Sequence, residues 1–393
     1  MGEATAGANG QAKAASVSAP APGDALRERI RHAIAGAGGW LPFDRYMALA
    51  LYEHGLGYYA RDDRQFGLMP ESGSDFVTAP ELSPLFGRAL AVQVAQALQL
   101  SGTDTVYEFG AGSGALAAQL LDALDAPDAP DGSGVRVKRY AIVELSVALR
   151  ERQRERLARF GDRVQWLSAL PDTMQGVVVG NEVLDAMPVQ LLCWDGAHWL
   201  ERGVAAAGDG AFAWQDRPTP LAPPLEVAQP EHHFTPGYVT EIHPQQCAFV
   251  ATLAERLERG AAFFIDYGFP EAEYYHPQRR GGTLMCHRAH RADADPLVDV
   301  GEKDITAHVN FTAIALAAQD AGMEVLGYTS QARFLFNCGI VAMLQSASLA
   351  TRTHARRLLD EHEMGELFKV IGFARGCSFD AVGFVEGDRS HTL

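Results

Sequence analysis

The chain has 393 residues, of which 47% are hydrophobic and 21% charged, so it can bury one large core or two smaller ones. Its formal net charge is −16. Duplex nucleic acid and anionic membranes require basic surfaces, so this charge argues against nucleic acid or membrane as the main partner.

The N-terminal hundred residues contain a tail and a helical region. Residues 1–23 are rich in Ala, Gly, Ser and Pro and lack an apolar signal core, which predicts a disordered tail. Apolar residues at helical spacing then predict one helix that begins at about residue 24 and two more over 43–54 and 85–100, with a turn-rich stretch before the last. We expect residues 24–100 to form a helical region and lid.

From residue 101 onward, predicted strands and helices alternate. Alternation of this kind indicates an α/β fold with a doubly wound sheet, in which ligands bind at the carboxyl ends of the strands. Residues 189–240 alternate in hydrophobicity and contain prolines and glycines, which predicts an inserted antiparallel subdomain. The predicted strands cover 107–109, 140–144, 164–167, 176–182, 261–268, 323–329 and 367–374.

The segment Tyr107–Ala115 joins a predicted strand to a predicted helix through three glycines at alternate positions, Gly110, Gly112 and Gly114. Such a turn lets the backbone approach a nucleotide-like ligand closely. Two cofactors remain possible. The spacing G-x-G-x-x-A fits a dinucleotide, whereas Glu108 followed by G-x-G-x-G fits S-adenosylmethionine (SAM).

The charge of Glu108 separates these two cofactors. SAM has no phosphate but has an α-ammonium and a sulfonium, so a carboxylate at the strand end suits it and would repel a pyrophosphate. Glu144 ends the next predicted strand, where its carboxylate is placed to accept hydrogen bonds from both ribose hydroxyls. The pattern therefore favours SAM, with a nicotinamide-dependent oxidoreductase as the competing interpretation.

Several segments outside the glycine loop resemble the MidA family of SAM-dependent methyltransferases, and the resemblance extends from about residue 26 to 375. One departure is Asn310, which stands where the family usually has Asp. The matching segments are 57–59, 75–81, 142–146, 181–189, 265–268 and, most distinctively, 304–311.

The resemblance implies a class I methyltransferase-like, Rossmann-like domain over 101–393 that binds SAM. The mitochondrial member of that family is a protein arginine methyltransferase that assists assembly of respiratory complex I. The resemblance therefore implies methyl transfer to an arginine of a protein substrate, such as a respiratory complex subunit. A non-catalytic assembly factor that retains the fold is the alternative.

Acidic residues at predicted strand ends are the candidates for holding an arginine. Carboxylates can grip a guanidinium bidentately and offset its charge, and we expect Glu182 and Asp185 to do so, with Asp266 in support. Asp185 is equally well explained as the cap of a following helix. For His308, a structural role is favoured over that of general base.

The remaining candidates concern the cofactor and metals. Asn181 follows an apolar strand, and Thr78 and Glu81 lie in the turn-rich stretch, so we expect these three to contact SAM. His287 and His290 lack a clear third ligand nearby, which predicts that both are surface residues and form no metal site.

Cysteine usage and hydropathy bear on location. The five cysteines are scattered and form no C-x-x-C pair, which favours a reducing, cytoplasmic location. No apolar run is long enough to insert into a bilayer. The identity of the acceptor and the oligomeric state stay open.

Overall fold

The structure is a computed structural model that describes residues 22–60, 77–126, 136–208, 210–224, 227, 234–288 and 291–393. The predicted tail, apart from its last two residues, lies outside the described residues. So do His290 and the first two residues of the matching segment 75–81.

The N-terminal region holds most of the helices that the sequence predicts there. Its elements are α1 (Pro22–Gly36), β1 (Leu41–Pro42), α2 (Phe43–Tyr52), α3 (Ala79–Leu82) and α4 (Pro84–Ser101). Helix α4 begins at a proline after Ser83, whose side chain accepts a hydrogen bond from the Leu85 amide, and ends at Gly102 in the left-handed conformation.

Strands and helices alternate over residues 105–167, as predicted, and several consecutive strands follow before the next helix. The elements of this part of the chain are β2 (Thr105–Phe109), α5 (Ala115–Leu124), β3 (Arg139–Val143), α6 (Val147–Leu157), β4 (Val164–Leu167), β5 (Met174–Asn181), β6 (Gln190–Trp194), β7 (Trp199–Ala206), β8 (Phe212–Pro218), β9 (Val239–Ile242), α7 (Pro244–Arg256) and β10 (Leu257–Phe269).

The last third of the chain adds helices around one edge of the sheet. It comprises α8 (Glu271–Tyr274), β11 (Met285–Arg288), β12 (Arg291–Asp293), β13 (Asp304–Thr306), β14 (Val309–Asn310), α9 (Phe311–Asp320), β15 (Glu324–Ser330), α10 (Gln331–Asn337), α11 (Ile340–Ser346), α12 (Leu349–Leu359), α13 (Met364–Leu367) and β16 (Phe368–Arg375).

The main sheet has the strand order β15-β16-β10-β5-β2-β3-β4, and β14 pairs with the end of β10. Strands β10, β5, β2, β3 and β4 run parallel, whereas β16 is antiparallel to both of its neighbours. The carboxyl ends of β2, β3, β5 and β10 therefore meet at one edge, where an open α/β sheet binds its ligands.

Both faces of the main sheet are buried, which explains the uninterrupted apolar runs of its strands. Helices α4 and α5 cover one face with side chains such as Leu90 and Leu120. Helices α7 and α9 cover the other face with side chains such as Leu253 and Ile314.

A second sheet, of order β1-β7-β6-β9 with β8 on β7, joins the N-terminal region to the predicted insertion. Leu41 pairs with Val204, and Pro42 with Gly203. The expectation of an all-helical N-terminal region was therefore wrong. A strand of two residues is too short to show alternation, and its proline is tolerated because β1 is an edge strand.

The N-terminal helices and the insertion also share one hydrophobic core. Phe43 and Tyr46 of α2 pack in it with Val204, Phe212 and other residues of the insertion, and the Tyr46 hydroxyl donates to the Pro296 carbonyl at 2.7 Å. Helix α4, in contrast, packs on the main sheet. The domain boundaries predicted from the sequence stay a prediction, and this packing favours grouping α1 and α2 with the insertion.

Other element boundaries differ from the predicted ones. Helix α2 ends at Tyr52, two residues early, and β10 begins at Leu257, four residues before the predicted strand 261–268. The sheet β12-β11-β13 was not predicted, since its strands of three or four residues give little periodic signal. Within the described residues, every helix is too short or too polar to cross a bilayer.

Replacing Phe43 by alanine tests the shared core. The Phe43 ring is fully buried and its centroid lies 5.4 Å from that of Trp214 in β8. We expect Phe43→Ala to lower the free energy of unfolding by about 3–5 kcal/mol, measured by urea denaturation. The control Leu349→Ala removes a side chain that is 75% exposed, and should change that free energy by less than about 0.5 kcal/mol.

Candidate active site

A cavity of about 1120 Å³ lies at the carboxyl edge of the main sheet. Its walls come from the glycine loop, the ends of β3, β5 and β10, and the N-terminal region. All of the predicted site residues except Asp266 and Gly114 line it. Those that do are Thr78, Glu81, Glu108, Gly110, Gly112, Glu144, Asn181, Glu182, Asp185 and His308, while Gly114 begins the helix beside it.

The three glycines of the loop all adopt positive φ, at 65°, 52° and 82° for Gly110, Gly112 and Gly114. Other residues rarely adopt this conformation. At Gly110 an added Cβ would also lie 2.7 Å from the Val183 side chain. The glycines are therefore required by backbone geometry, and the loop presents main chain to the cavity.

Glu108 and Glu144 stand at the ends of adjacent parallel strands. Glu108 is buried and accepts a hydrogen bond from Tyr140 at 2.8 Å; burial raises its pKa to about 8, with Glu144 nearby. Glu144 accepts from the Ser146 amide at 2.8 Å and from Gln153 at 3.3 Å. Gln153 also donates to the Gly112 carbonyl at 2.9 Å, which ties Glu144 to the loop.

The turn-rich stretch reaches the same loop through Glu81. Its carboxylate accepts hydrogen bonds from Ser113 and from Arg156 of α6, the latter at 2.7 Å. Gln119 of α5 donates to the Pro80 carbonyl at 2.6 Å. Thr78, which precedes α3, faces the cavity beside Glu81. The N-terminal region is thus fixed over the glycine loop.

Asp266 shapes the turn that follows β5. Its Oδ2 accepts hydrogen bonds from the amides of Val183, Leu184 and Asp185 at 3.2, 2.9 and 3.3 Å. Asp266 lies behind this turn, outside the cavity lining. The predicted supporting role is therefore one of positioning, since its carboxylate is occupied by the backbone that presents Glu182 and Asp185.

Glu182 has φ of +53°, an unfavourable conformation for a residue with a Cβ. Strain of this kind persists only where the surrounding structure enforces it, and here the Glu182 amide donates to the Ile265 carbonyl at 2.9 Å. Asn181 donates to Glu182 at 3.0 Å, while its own buried Oδ1 has no hydrogen-bond partner among the described residues.

Asp185 does not cap a helix. The chain continues from it as a turn into β6, so that interpretation was wrong. Asp185 is buried, and its Oδ2 accepts a hydrogen bond from the Tyr267 hydroxyl. Its buried Oδ1 has no partner in the described part of the chain. Asp185, which lines the cavity, therefore has one buried carboxylate oxygen that is unsatisfied.

Burial and mutual repulsion raise the pKa values of these acids. Loss of solvent, followed by the charge of Asp185, raises the pKa of Glu182 to about 8. Burial likewise raises the pKa values of Asp185 and Asp266. No lysine or arginine of the described ranges forms an ion pair with Glu182, Asp185 or Glu108, so a bound cation would relieve this repulsion.

His308 lines the cavity and contacts aromatic rings. Its ring stacks on Phe269 with centroids 5.2 Å apart and meets the edge of Tyr267 at 5.0 Å. Burial, followed by the charge of Arg279, lowers its pKa to about 4. The Thr283 hydroxyl accepts from its amide at 3.1 Å. His308 is therefore a neutral side chain held by its backbone.

The sequence did not identify Asp304, Tyr59 and Tyr52 as site residues, although all three line the cavity. Tyr59 donates to Asp304 at 2.8 Å, Tyr52 donates to the Ala186 carbonyl at 2.8 Å, and the two tyrosine rings stack. The only signal for Asp304 was its place at the start of the distinctive segment 304–311. The only signal for Tyr59 was its place in the matching segment 57–59.

His287 lines the cavity, so its predicted surface position was wrong. Within the described ranges, no three His, Cys, Asp or Glu side chains are grouped so as to hold a metal ion. Asn310 caps α9 by accepting from the Ala313 amide at 3.1 Å, a role that needs no charge.

The strand order, the glycine loop after β2 and the acids at the ends of β2 and β3 define a class I methyltransferase-like enzyme with a nucleoside cofactor. The chain belongs to the family described as "Putative S-adenosyl-L-methionine-dependent methyltransferase", which matches residues 89–329.

Solved and curated relatives agree with this assignment. A crystal structure of a "likely methyl transferase from Burkholderia thailandensis bound to S-adenosyl-homocysteine" is 52% identical, with a TM-score of 0.90, and covers 96% of this chain and all of that one. "Protein arginine methyltransferase NDUFAF7 homolog, mitochondrial" from Drosophila melanogaster is 26% identical over 89% of this chain and 85% of its own length. The Danio rerio NDUFAF7 protein is 26% identical over 86% and 85%.

The predicted cytoplasmic location is contradicted by the Drosophila melanogaster and Danio rerio relatives, which are named as mitochondrial proteins. Scattered cysteines indicate only that disulfides are not required for stability. They do not distinguish one reducing compartment from another.

The cofactor is SAM, and the cavity fits it. Glycines leave room for a ligand at the loop, and Asn181 Oδ1 is an unsatisfied buried acceptor. Glu108 and Glu144 lie in the cavity where a nucleoside with a cationic tail needs acids. We propose that Glu108 pairs with the α-ammonium and Glu144 with the ribose hydroxyls. Thr78, Glu81 and Asn181 would complete the enclosure.

Substituting Gly110 tests the glycine loop. The left-handed conformation costs alanine about 1–2 kcal/mol, and its Cβ would crowd Val183. We therefore expect Gly110→Ala to weaken S-adenosylhomocysteine binding at least tenfold in isothermal titration. Gly102→Ala is the matched control, since Gly102 has φ of +68° with open space around its Cβ position, far from the loop at the end of α4. Equal affinities of both variants would refute the assignment.

Proton release tests Glu108. With a pKa of about 8, Glu108 is mostly protonated at pH 7 and must ionise to pair with an ammonium. We expect Glu108 to release a proton when S-adenosylhomocysteine, which lacks the sulfonium, binds at pH 7. The ligand should bind more tightly as the pH rises toward 8. Titration calorimetry in two buffers of different ionisation enthalpy measures this release. A Glu108→Gln variant that released as many protons as wild type would contradict the pairing.

Proposed function

We propose that the methyl acceptor is the guanidinium of an arginine in a protein. The observation that supports this proposal is the group of acids at one end of the cavity, Glu182, Asp185 and Asp304. Glu182 and Asp185 form no ion pair with a lysine or arginine within the described ranges. A planar cation with five donors satisfies several carboxylate oxygens at once, which an ammonium does less well.

The aromatic walls of the same end suit a planar cation. The rings of Tyr52 and Tyr59 stack with centroids 5.6 Å apart, and Tyr267 faces them from β10. Aromatic faces attract guanidinium through cation–π contacts. A neutral His308 adds no positive charge that would repel the acceptor.

When bound, SAM supplies an electrophilic methyl group on a sulfonium. The chain's own residues then have two tasks, to orient the attacking nitrogen and to take the proton that this nitrogen loses. We assign orientation to Glu182, held at the cavity by the strained turn. We assign the proton to Asp185, because its Oδ1 is unpartnered and a raised pKa makes a carboxylate a better base.

The names of the curated relatives support a protein acceptor, since both are named as protein arginine methyltransferases. Their identity to this chain is 26%, so the target protein does not follow from them. A subunit of a respiratory complex, implied by the family resemblance, stays a prediction.

Charge removal at the acid cluster tests this function. Charge-assisted hydrogen bonds contribute about 1.5–3 kcal/mol, so Glu182→Gln should lower methyl transfer to arginine by about ten- to hundredfold. Asp185→Asn should lower the rate further by removing the base. The assay uses tritium-labelled SAM and a protein extract, followed by resolution of methylarginines from methyllysines in hydrolysates.

Two controls make this test specific. Both variants should bind S-adenosylhomocysteine as wild type does, which separates acceptor chemistry from cofactor binding. Glu302→Gln changes an acid that is partly exposed and paired with Arg288, and should leave the rate unchanged. Label recovered only in methyllysine, or full activity in Glu182→Gln, would refute an arginine acceptor.

A further inference from the structure

A groove of about 550 Å³ runs along the N-terminal helices on the outer side of α1 and α2. Its lining includes four small residues, Ala33, Gly36, Ala37 and Ala48, beside two leucines. Tyr52, at the end of α2, lines both this groove and the active-site cavity. Tyr52 therefore lies between the two depressions.

The groove differs in charge from the rest of the protein. Its lining includes Arg29, Arg45 and Glu53. Arg29 pairs with Glu53 at 2.7 Å, whereas Arg45 is exposed and forms no ion pair with any residue that the structure describes. One positive charge is left in this groove although the whole chain has a net charge of −16.

We infer that this groove, which we call the α1–α2 groove, binds the segment of the acceptor protein beside the methylated arginine. This inference rests on the proposed function. The arginine side chain enters the cavity past Tyr52, and the extended segment next to it lies on the small residues of the groove. These small lining residues accommodate a main chain, and Arg45 selects an acidic residue in that segment.

The helix geometry sets the spacing of that acidic residue. Arg45 and Tyr52 are seven residues apart on α2, which corresponds to about 10 Å at 1.5 Å per residue. An extended peptide advances about 3.3 Å per residue. The acidic residue therefore lies about three positions from the methylated arginine.

Peptide kinetics test this inference. The probes are N-acetylarginine methylamide and two peptides of 11 residues, with a single arginine and an aspartate three positions before or after it. Each peptide has a twin with asparagine in place of aspartate. For one of the two directions, we expect the aspartate peptide to have a KM at least threefold lower than its twin, and Arg45→Glu to abolish or reverse that preference.

Filling the groove gives an independent readout. An added Cβ at Gly36 meets no atom within 4 Å, so Gly36→Trp fits the fold and occupies the groove. We expect this variant to raise the KM of the preferred peptide at least fivefold, without changing the KM of N-acetylarginine methylamide or the affinity for S-adenosylhomocysteine. Gly208→Trp, at a similarly open position between β7 and β8, is the matched control.

The outcomes separate the two proposals. An unchanged peptide KM in Gly36→Trp, or no aspartate preference in either direction, overturns the groove while leaving arginine methylation intact. If wild type methylates none of the arginine probes, the proposed function fails, and the inference fails with it. A loss of self-association in Gly36→Trp, measured by sedimentation velocity, would instead identify the groove as an interface between two copies of this chain.

Discussion

The site depends on one buried carboxylate, Asp266, which accepts three consecutive backbone amides after β5. Those amides would otherwise be unpaired at a buried turn, which costs about 1–3 kcal/mol for each group. By satisfying them, Asp266 fixes a turn that no regular element could provide and holds Glu182 in its left-handed conformation. The strain at Glu182 is thus balanced by hydrogen bonds that lie outside the cavity, and the acid cluster is pre-arranged before any ligand arrives.

A second constraint is the packing of the N-terminal helices against the insertion. Tyr59 packs against this shared core and lines the cavity together with Tyr52, so the acceptor end of the cavity has one wall from the main sheet and another from the N-terminal region. Glu81 joins the same region to the glycine loop through Ser113 and Arg156. The cavity walls around the cofactor and around the acceptor are consequently built from segments distant in sequence. The packing between these segments couples the geometry of the two ends.

The same electrostatic effect acts on the buried acids at both ends of the cavity. Glu108 and Glu182 both have pKa values raised to about 8 because burial disfavours their charged forms. A cationic cofactor and a cationic acceptor would each restore the charge that burial suppresses. The net negative charge of the whole chain does not cause these raised pKa values, because exposed acids are screened by solvent, whereas these few buried acids are not.

The sequence by itself determined the parallel strands of the main sheet, the glycine loop and the acids at strand ends, because periodicity, glycine geometry and charge placement are local properties. It also limited the cofactor to one that tolerates Glu108. Only the tertiary structure decided that no helix directly follows Asp185, that Asp266 accepts from backbone amides, and that Asp304 meets Tyr59 across 245 residues. It likewise revealed β1, which exists only because β7 provides its hydrogen-bond partners. These features depend on contacts between segments far apart in the chain, and such contacts leave no periodic signal in either segment alone.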